Sequence, residues 1–313
     1  MNNDFKIFYG VKDECIDVTD ICWKDCRYGD YIMIPPNDDK RTAKFTDPLP
    51  NILKSIFIHG TEYDVHQQIL INIQKHQVVA IDIRKNNHDD NIKNNEKLEQ
   101  LHNRLTIKHG SFSEELQEQM MAIRYLKGHE KVLEIGGNIG RNSMIISSIL
   151  AEKQNYNNVV VLESDTEVAL QLTENRDLNH LLFHIEPSAL SKRKLIQKGW
   201  NTKPSDVLED EHHWVPTISL SELYSKYKID FDTLIVDCEG AFYYILMDMP
   251  EILDNIKLII MENDYEDMNH KNYVDDMLSK NGFYVDYTES GGWGLSCPCS
   301  SFFFETWKKF DLV

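Results

Sequence analysis

Lys131-Val132-Leu133-Glu134-Ile135-Gly136-Gly137-Asn138-Ile139-Gly140-Arg141-Asn142-Ser143 is the stretch that decides the fold. Its opening suits a strand. Three glycines within five positions then make a turn, and a helical pattern runs from Asn142 to Glu152. Strand, glycine turn and helix together make a nucleotide-binding start. Glycines let the backbone approach a ligand closely and adopt positive φ. A glycine turn alone does not name the ligand, since dinucleotide enzymes use one too. Two details narrow the choice. The spacing Gly136-Gly137-x-x-Gly140 is not G-x-G-x-x-G. Glu134 would repel a pyrophosphate, whereas it suits a cationic amino group.

Working outward, strands and helices alternate. Ser113-Glu114-Glu115-Leu116 opens a helix expected to run to about Leu126, with Ser at its start and Glu in its first turn. Strands are expected at Val159 to Glu163, Leu182 to Glu186, Asp232 to Asp237 and Ile256 to Glu262. Helices are expected at Thr166 to Leu178 and from Ser219 onward. Apolar strands separated by helices imply a parallel sheet covered on both faces, an α/β architecture. Ligands of such sheets bind beyond the carboxyl ends of the strands.

The candidate site follows from that rule. Glu134, Gly136, Gly137, Asn138, Gly140, Asn142 and Ser143 form the first turn and the helix start. Glu163 and Ser164 end the second strand, where a carboxylate can accept from both hydroxyls of a ribose; Asp165 suits the following helix as its N-cap. Ser188 and Ala189 offer a small-residue loop for a base. Asp237 and Glu239 break an apolar strand abruptly, and Glu262 and Asp264 end the next one.

These elements, with Asn175, Ser188-Ala189-Leu190-Ser191 and above all Asp237-Cys238-Glu239-Gly240-Ala241, resemble the FkbM family of methyltransferases over roughly residues 110 to 265. The resemblance implies a Rossmann-like class I fold, S-adenosyl-L-methionine as cofactor and O-methylation of a small-molecule or glycan hydroxyl. The family more often has Asp where this chain has Glu134, and the N-terminal region is not part of its pattern. Methyl transfer is an in-line displacement that positioning accelerates. A hydroxyl acceptor gains from a base, for which Asp237 is the first candidate and Glu239 the second. The carboxylates are also oxygen ligands of the kind Mg²⁺ takes, although no sequence feature demands a metal. Trp293, in Gly291-Gly292-Trp293-Gly294, is a candidate for stacking on a sugar or for core packing. Tyr244 is a candidate for lining the acceptor pocket, and Phe242 for the core. Two other readings stand beside this one: a nicotinamide-dependent oxidoreductase and a non-catalytic binding scaffold.

Before residue 87 the texture differs. Short alternating runs at Phe5 to Tyr9, Tyr31 to Ile34, Ser55 to Ile58 and Val78 to Ile83 predict a small all-β domain over 1–86. It is a candidate for binding or for homo-oligomer formation. The Asn-rich stretch 87–108 is expected to be a linker or long surface loop, with the methyltransferase domain over 109–313. A net charge of −18 and the lack of a basic cluster argue against a nucleic-acid partner and an anionic membrane. Cys22-x3-Cys26 and Cys297-Pro-Cys299 lack the usual zinc spacing. No signal peptide or membrane span is expected, so the predicted compartment is the cytoplasm. The abundance of Asn, Ile and Lys suggests an AT-rich genome; for a large DNA virus the compartment would be the host cytoplasm.

Overall fold

The computed structural model describes residues 5–84, 88–199, 201–294 and 296–310. The chain forms two compact units: Met1–Lys85 with Leu278–Thr288 and Trp307–Val313, and Asn86–Met277 with Glu289–Thr306. The first unit thus draws on three chain segments, whereas the sequence suggests one.

In the first unit, one four-stranded antiparallel sheet is ordered Glu14–Asp17, Ile7–Val11, Ser55–Ile58, Thr61–Tyr63. A second is ordered Arg27–Tyr28, Tyr31–Ile34, Gln67–Asn72, Gln77–Asp82. Ile7, Ile32, Ile34, Ile56, Ile69 and Ile71 share one core. Alternation put β-branched side chains on one face of each strand, and that face is buried. The unit is β-rich but not all-β: Thr19–Asp25 and Asp38–Phe45 are short helices. Cys22 lies on the first, Cys26 is its C-cap, and both are buried in the core.

The second unit carries the nucleotide-binding start. Numbering only the elements from here on, the helices are α1 (His88–Arg104), α2 (Leu116–Tyr125), α3 (Arg141–Ala151), α4 (Thr166–Leu178), α5 (Leu220–Tyr227), α6 (Phe242–Asp248) and α7 (Met268–Lys280). Its strands are β1 (Val132–Ile135), β2 (Val159–Leu162), β3 (His184–Glu186), β4 (Thr233–Val236) and β5 (Leu258–Glu262); β6 (Phe283–Glu289) falls, up to its last residue, in a segment of the first unit, and β7 (Phe304–Lys309) is divided between the units at Trp307. They form one seven-stranded sheet ordered β3-β2-β1-β4-β5-β7-β6. The run β3-β2-β1-β4-β5 is the order of a doubly wound, Rossmann-like sheet. The first five pair in parallel.

Two expectations need correction here. Residues 88–104 are helical rather than a linker. Asn has low helix propensity, but Leu98 and Leu101 are buried and His102 stacks on Phe112 at 4.8 Å. Tertiary packing overrides the propensity. The second correction concerns α2, which starts at Leu116, so Glu115 is its N-cap with φ 55° rather than part of the first turn. Elsewhere local signals hold. Asp165 caps α4 by accepting from the amides of Glu167 and Val168 at 2.8 and 3.1 Å. Ser219 and Glu222 form a capping box on α5.

Between β3 and α5 the chain inserts short strands. Ala189–Leu190 pairs in parallel with Thr217–Ile218. Leu195–Lys198 lies between Asn201–Pro204 and His213–Val215, antiparallel to both. Among the described residues no helix is long and apolar enough to cross a membrane.

Candidate active site

Strand register builds the site. Ile135 pairs with Leu162 and with Val236, and Val236 pairs with Met261. The residues just beyond, Gly136, Glu163, Asp237 and Glu262, therefore form one row along the carboxyl rim of the sheet.

Gly136 is required at this row. Its φ is +90°, and a Cβ there would stand 1.5 Å from the Asp237 carbonyl oxygen. Its N–H and that of Gly137 both donate to the Leu162 carbonyl, at 3.0 and 2.9 Å. Asn138 continues the turn at φ 45°. Glu163 fixes it from the neighbouring strand, accepting from the Asn138 amide on one oxygen and from the Asp165 amide on the other, both at 2.8 Å. Glu163 is thus a brace for the turn as well as a candidate ligand. Each oxygen keeps a further lone pair for a hydroxyl. Burial pushes its carboxyl above the usual range.

Two hollows share Gly136 and Asp237. The larger is a cleft of about 140 Å³ lined by Asn138, Glu163, Ser164, Ser188, Ala189, Asp237, Glu239 and Tyr244 among others. One water needs roughly 10–15 Å³ on that scale, so the cleft suits a small molecule. The smaller hollow, of about 10 Å³, is lined by Glu115, Glu118, Glu134, Asn142, Asp237 and Glu262. It has room for one compact group. The cleft adds Asp248, which is paired with Arg193. No Lys, Arg or His lines either hollow among the described residues.

The small hollow is electrostatically incomplete. Glu134 is only 2% exposed, and its Oε2 has no hydrogen-bond partner. Glu118 Oε2 and Asn142 Oδ1 are likewise buried acceptors without a donor. Burial, opposed by the Ser143 hydroxyl and helped by the charges of Glu115, Asp237 and Glu163, pushes Glu134 up to about 8. Burial and then the Glu118 and Glu115 charges hold Asp237 well above the usual carboxylate range. Glu262 moves the same way, through burial and the neighbouring Glu118 carboxyl. Buried charge without a counter-charge is strongly disfavoured. The hollow is therefore built for something cationic. Glu118, Asp237 and Glu262 also have carboxylate oxygens within 4.8 Å of one another, near enough to share one metal ion.

Arg141 is the cation nearest in sequence to the turn, but its guanidinium is taken. It donates to Glu115 Oε1 at 2.6 Å and to the Ser111 carbonyl at 3.1 Å, and it pairs with Glu114.

The structure brings most of the expected residues together. Gly140 caps α3, and Ser143 is buried in its first turn. Glu239 lies exposed at the cleft rim with φ 51°. Burial and a hydrogen bond to the Asp264 carboxyl push its pKa up, the second weighing more for so exposed a side chain. Asp264 thus acts on the rim through Glu239. Tyr244 lines the cleft and Phe242 is fully buried core. Gly140, Ser143 and Asp264 line neither hollow, and Trp293 stands further out. It is 47% exposed, packs edge-on against Phe303 and lines neither hollow. Glu115, Glu118 and the inserted residues Leu195, Gln197, Thr202 and Pro204 were not anticipated from sequence. Glu115 and Glu118 are three apart at the start of one helix, a spacing that puts both carboxylates on one face.

No family model matches this chain, and no curated protein is similar to it. Among solved structures, an O-methyltransferase from Bacillus cereus in complex with SAH is 12% identical, over 69% of this chain and 89% of its own, with a TM-score of 0.39. A protein of the NADB-Rossmann superfamily from Streptococcus agalactiae is 11% identical, over 63% of this chain and 70% of its own, with a TM-score of 0.39. Overlaps this partial carry no weight for chemistry; the fold rests on the strand order and the function on the site.

Proposed function

We propose that this chain is an S-adenosyl-L-methionine-dependent methyltransferase acting on a hydroxyl of a small molecule or glycan. One observation carries the cofactor assignment: the buried hollow under the glycine turn, whose ionisable lining residues are all acids, with unpartnered acceptors on Glu118, Glu134 and Asn142. An ammonium group meets all three needs, being compact, cationic and a triple donor. A dinucleotide pyrophosphate would face carboxylates and find no basic side chain in either hollow. That weighs against the nicotinamide alternative. Glu163 suits the ribose hydroxyls, and Ser188 and Ala189 suit the base.

When bound, the cofactor supplies a sulfonium methyl. The residues around it do the rest. Glu134 and Asn142 hold the ammonium, and Asp237, which lines both hollows, faces the acceptor. Burial and the neighbouring carboxylates raise the proton affinity of Asp237, which strengthens it as a base once a bound cation favours its ionised form. Asp237 would take the hydroxyl proton while the methyl carbon exchanges its bond to sulfur for one to the acceptor oxygen, the thioether being the leaving group. Glu239, with its partner Asp264, orients the acceptor at the rim. The acceptor class rests on the FkbM resemblance of Asp237-Cys238-Glu239-Gly240-Ala241, and the acidic character of the chain favours it over a nucleic acid.

Isothermal titration with S-adenosylhomocysteine, S-adenosylmethionine and NAD tests the cofactor. Binding of the first two and not the third is expected; the reverse pattern would establish an oxidoreductase. A methyl-transfer assay on a panel of sugar and small-molecule hydroxyls tests the reaction. Cofactor binding without turnover on any hydroxyl, amine or nucleic acid would leave the scaffold reading.

A further inference from the structure

The inserted strands between β3 and α5 carry a polar side chain that the proposed chemistry has not used. Gln197 is only 4% exposed, and it lines the cleft. Its strand is the central one of three, with Thr202 and His213 opposite it in register, so its position is set by pairing on both sides. The Gln197 Nε2 donates to the Gly199 carbonyl at 3.1 Å. Only the amide nitrogen can make that bond, so the remaining polar atom is the oxygen. That Oε1 is buried and has no donor.

A buried carbonyl oxygen without a donor, on a side chain that lines a ligand cleft, calls for a donor from the ligand. In S-adenosylmethionine the donors are the ammonium, the ribose hydroxyls and the exocyclic amine of the base. The small acidic hollow accounts for the first and Glu163 for the second. The amine remains. Leu195, Pro204 and Ala189 line the same cleft and offer apolar surface to a flat ring.

We propose that Gln197 accepts a hydrogen bond from the 6-amino group of the cofactor's purine and so makes the cleft selective for adenine over 6-oxo purines. This rests on the cofactor reading above. In hypoxanthine the amine is replaced by a carbonyl, which would set two acceptors against each other. A site built around one hydrogen bond rejects an analogue that cannot make it far more strongly than an apolar pocket rejects a size change.

The test uses the full chain and two ligands, S-adenosylhomocysteine and its deaminated counterpart S-inosylhomocysteine, titrated against wild type, Gln197→Leu and Gln197→Glu. Far-ultraviolet circular dichroism and thermal melts check that each variant folds. Wild type should prefer the adenosyl ligand by at least about 10-fold. Gln197→Leu should reduce that ratio to under about 3-fold, mainly by weaker binding of the adenosyl ligand. Gln197→Glu keeps an acceptor and should keep the preference. A merely structural role would weaken both ligands equally and leave the ratio intact. A wild-type ratio near one, or one unchanged in Gln197→Leu, overturns the inference while the cofactor reading stands. Failure of folded wild type to bind either ligand overturns both.

Discussion

Arg41 and Glu134 are both buried ionisable side chains, one in each compact unit, and their surroundings differ in kind. The Arg41 guanidinium donates to the carbonyls of Pro35, Tyr63 and Gln67 at 2.9, 3.4 and 2.8 Å. Lys54, also buried, lies between Asp38 and Asp47 at 2.9 Å from each. Every charge in that network has partners within its own unit. Glu134, Glu118 and Asn142 do not. The second unit can complete such a network: Lys271 is fully buried against Glu305 at 2.8 Å, with Asp275 beside it. Among the described residues, the buried carboxylate oxygens left without a partner are those of Glu118 and Glu134, and both line the hollow under the turn. Buried charge that is satisfied serves the fold, and buried charge left open marks where a ligand completes the structure.

The contrast breaks most visibly in turnover. Asp237→Asn keeps the shape and removes the base, so kcat should fall by about 10²- to 10⁴-fold, with cofactor affinity within about threefold of wild type. An equal loss of affinity would make Asp237 a binding residue. On the structural side, Arg41→Met strips donors from three carbonyls. Urea unfolding of the full chain should then show a loss of about 3 kcal/mol or more, without a change in cofactor affinity per folded molecule. A loss below about 1 kcal/mol would mean that water replaces the guanidinium.

Glu134→Gln sharpens the comparison because its two effects have opposite signs. Cofactor affinity should fall by about 10- to 100-fold, the range of one charged hydrogen bond. The unliganded protein should be as stable as wild type or more so at pH 8, since a disfavoured carboxylate is gone. If Glu134→Gln destabilised the empty protein as Arg41→Met does, the hollow would be a structural network after all. The smallest effect concerns metal. With an ammonium in the hollow, EDTA should change turnover less than about twofold, since no ion is then needed to offset the carboxylates. A large loss restored by Mg²⁺ would recast Glu118, Asp237 and Glu262 as its ligands.

Much of the fold was legible because its signals are local. Val159 to Leu162 is a run of β-branched and apolar residues that only a buried strand uses well, and Asp165 and Ser219 announce helix starts through their own side chains. The strand-end carboxylates were legible because parallel sheets put ligands at one rim. Glu118 was not, since it lies on a preceding helix and meets Asp237 only through tertiary packing. The inserted strands are two to four residues long, too short for alternation to register. Trp293 stayed open because glycines around an aromatic residue fit a sugar platform and an ordinary packed loop equally well.

The raised pKa of Glu134 also makes ligand capture a proton-releasing event. Empty, the carboxyl titrates at about 8, so at neutral pH it is mostly protonated. An arriving ammonium favours the charged form and expels that proton. Affinity should therefore climb with pH until about 8 and then level off. The empty fold should show the reverse trend. Neutral Glu134 is tolerated below the ordinary carboxylate range, near 4.5, and that contribution to stability is lost as pH rises through about 8. Titrations in buffers of differing ionisation enthalpy would count the protons released, and pH-independent heats and melting points would show that Glu134 keeps one protonation state throughout.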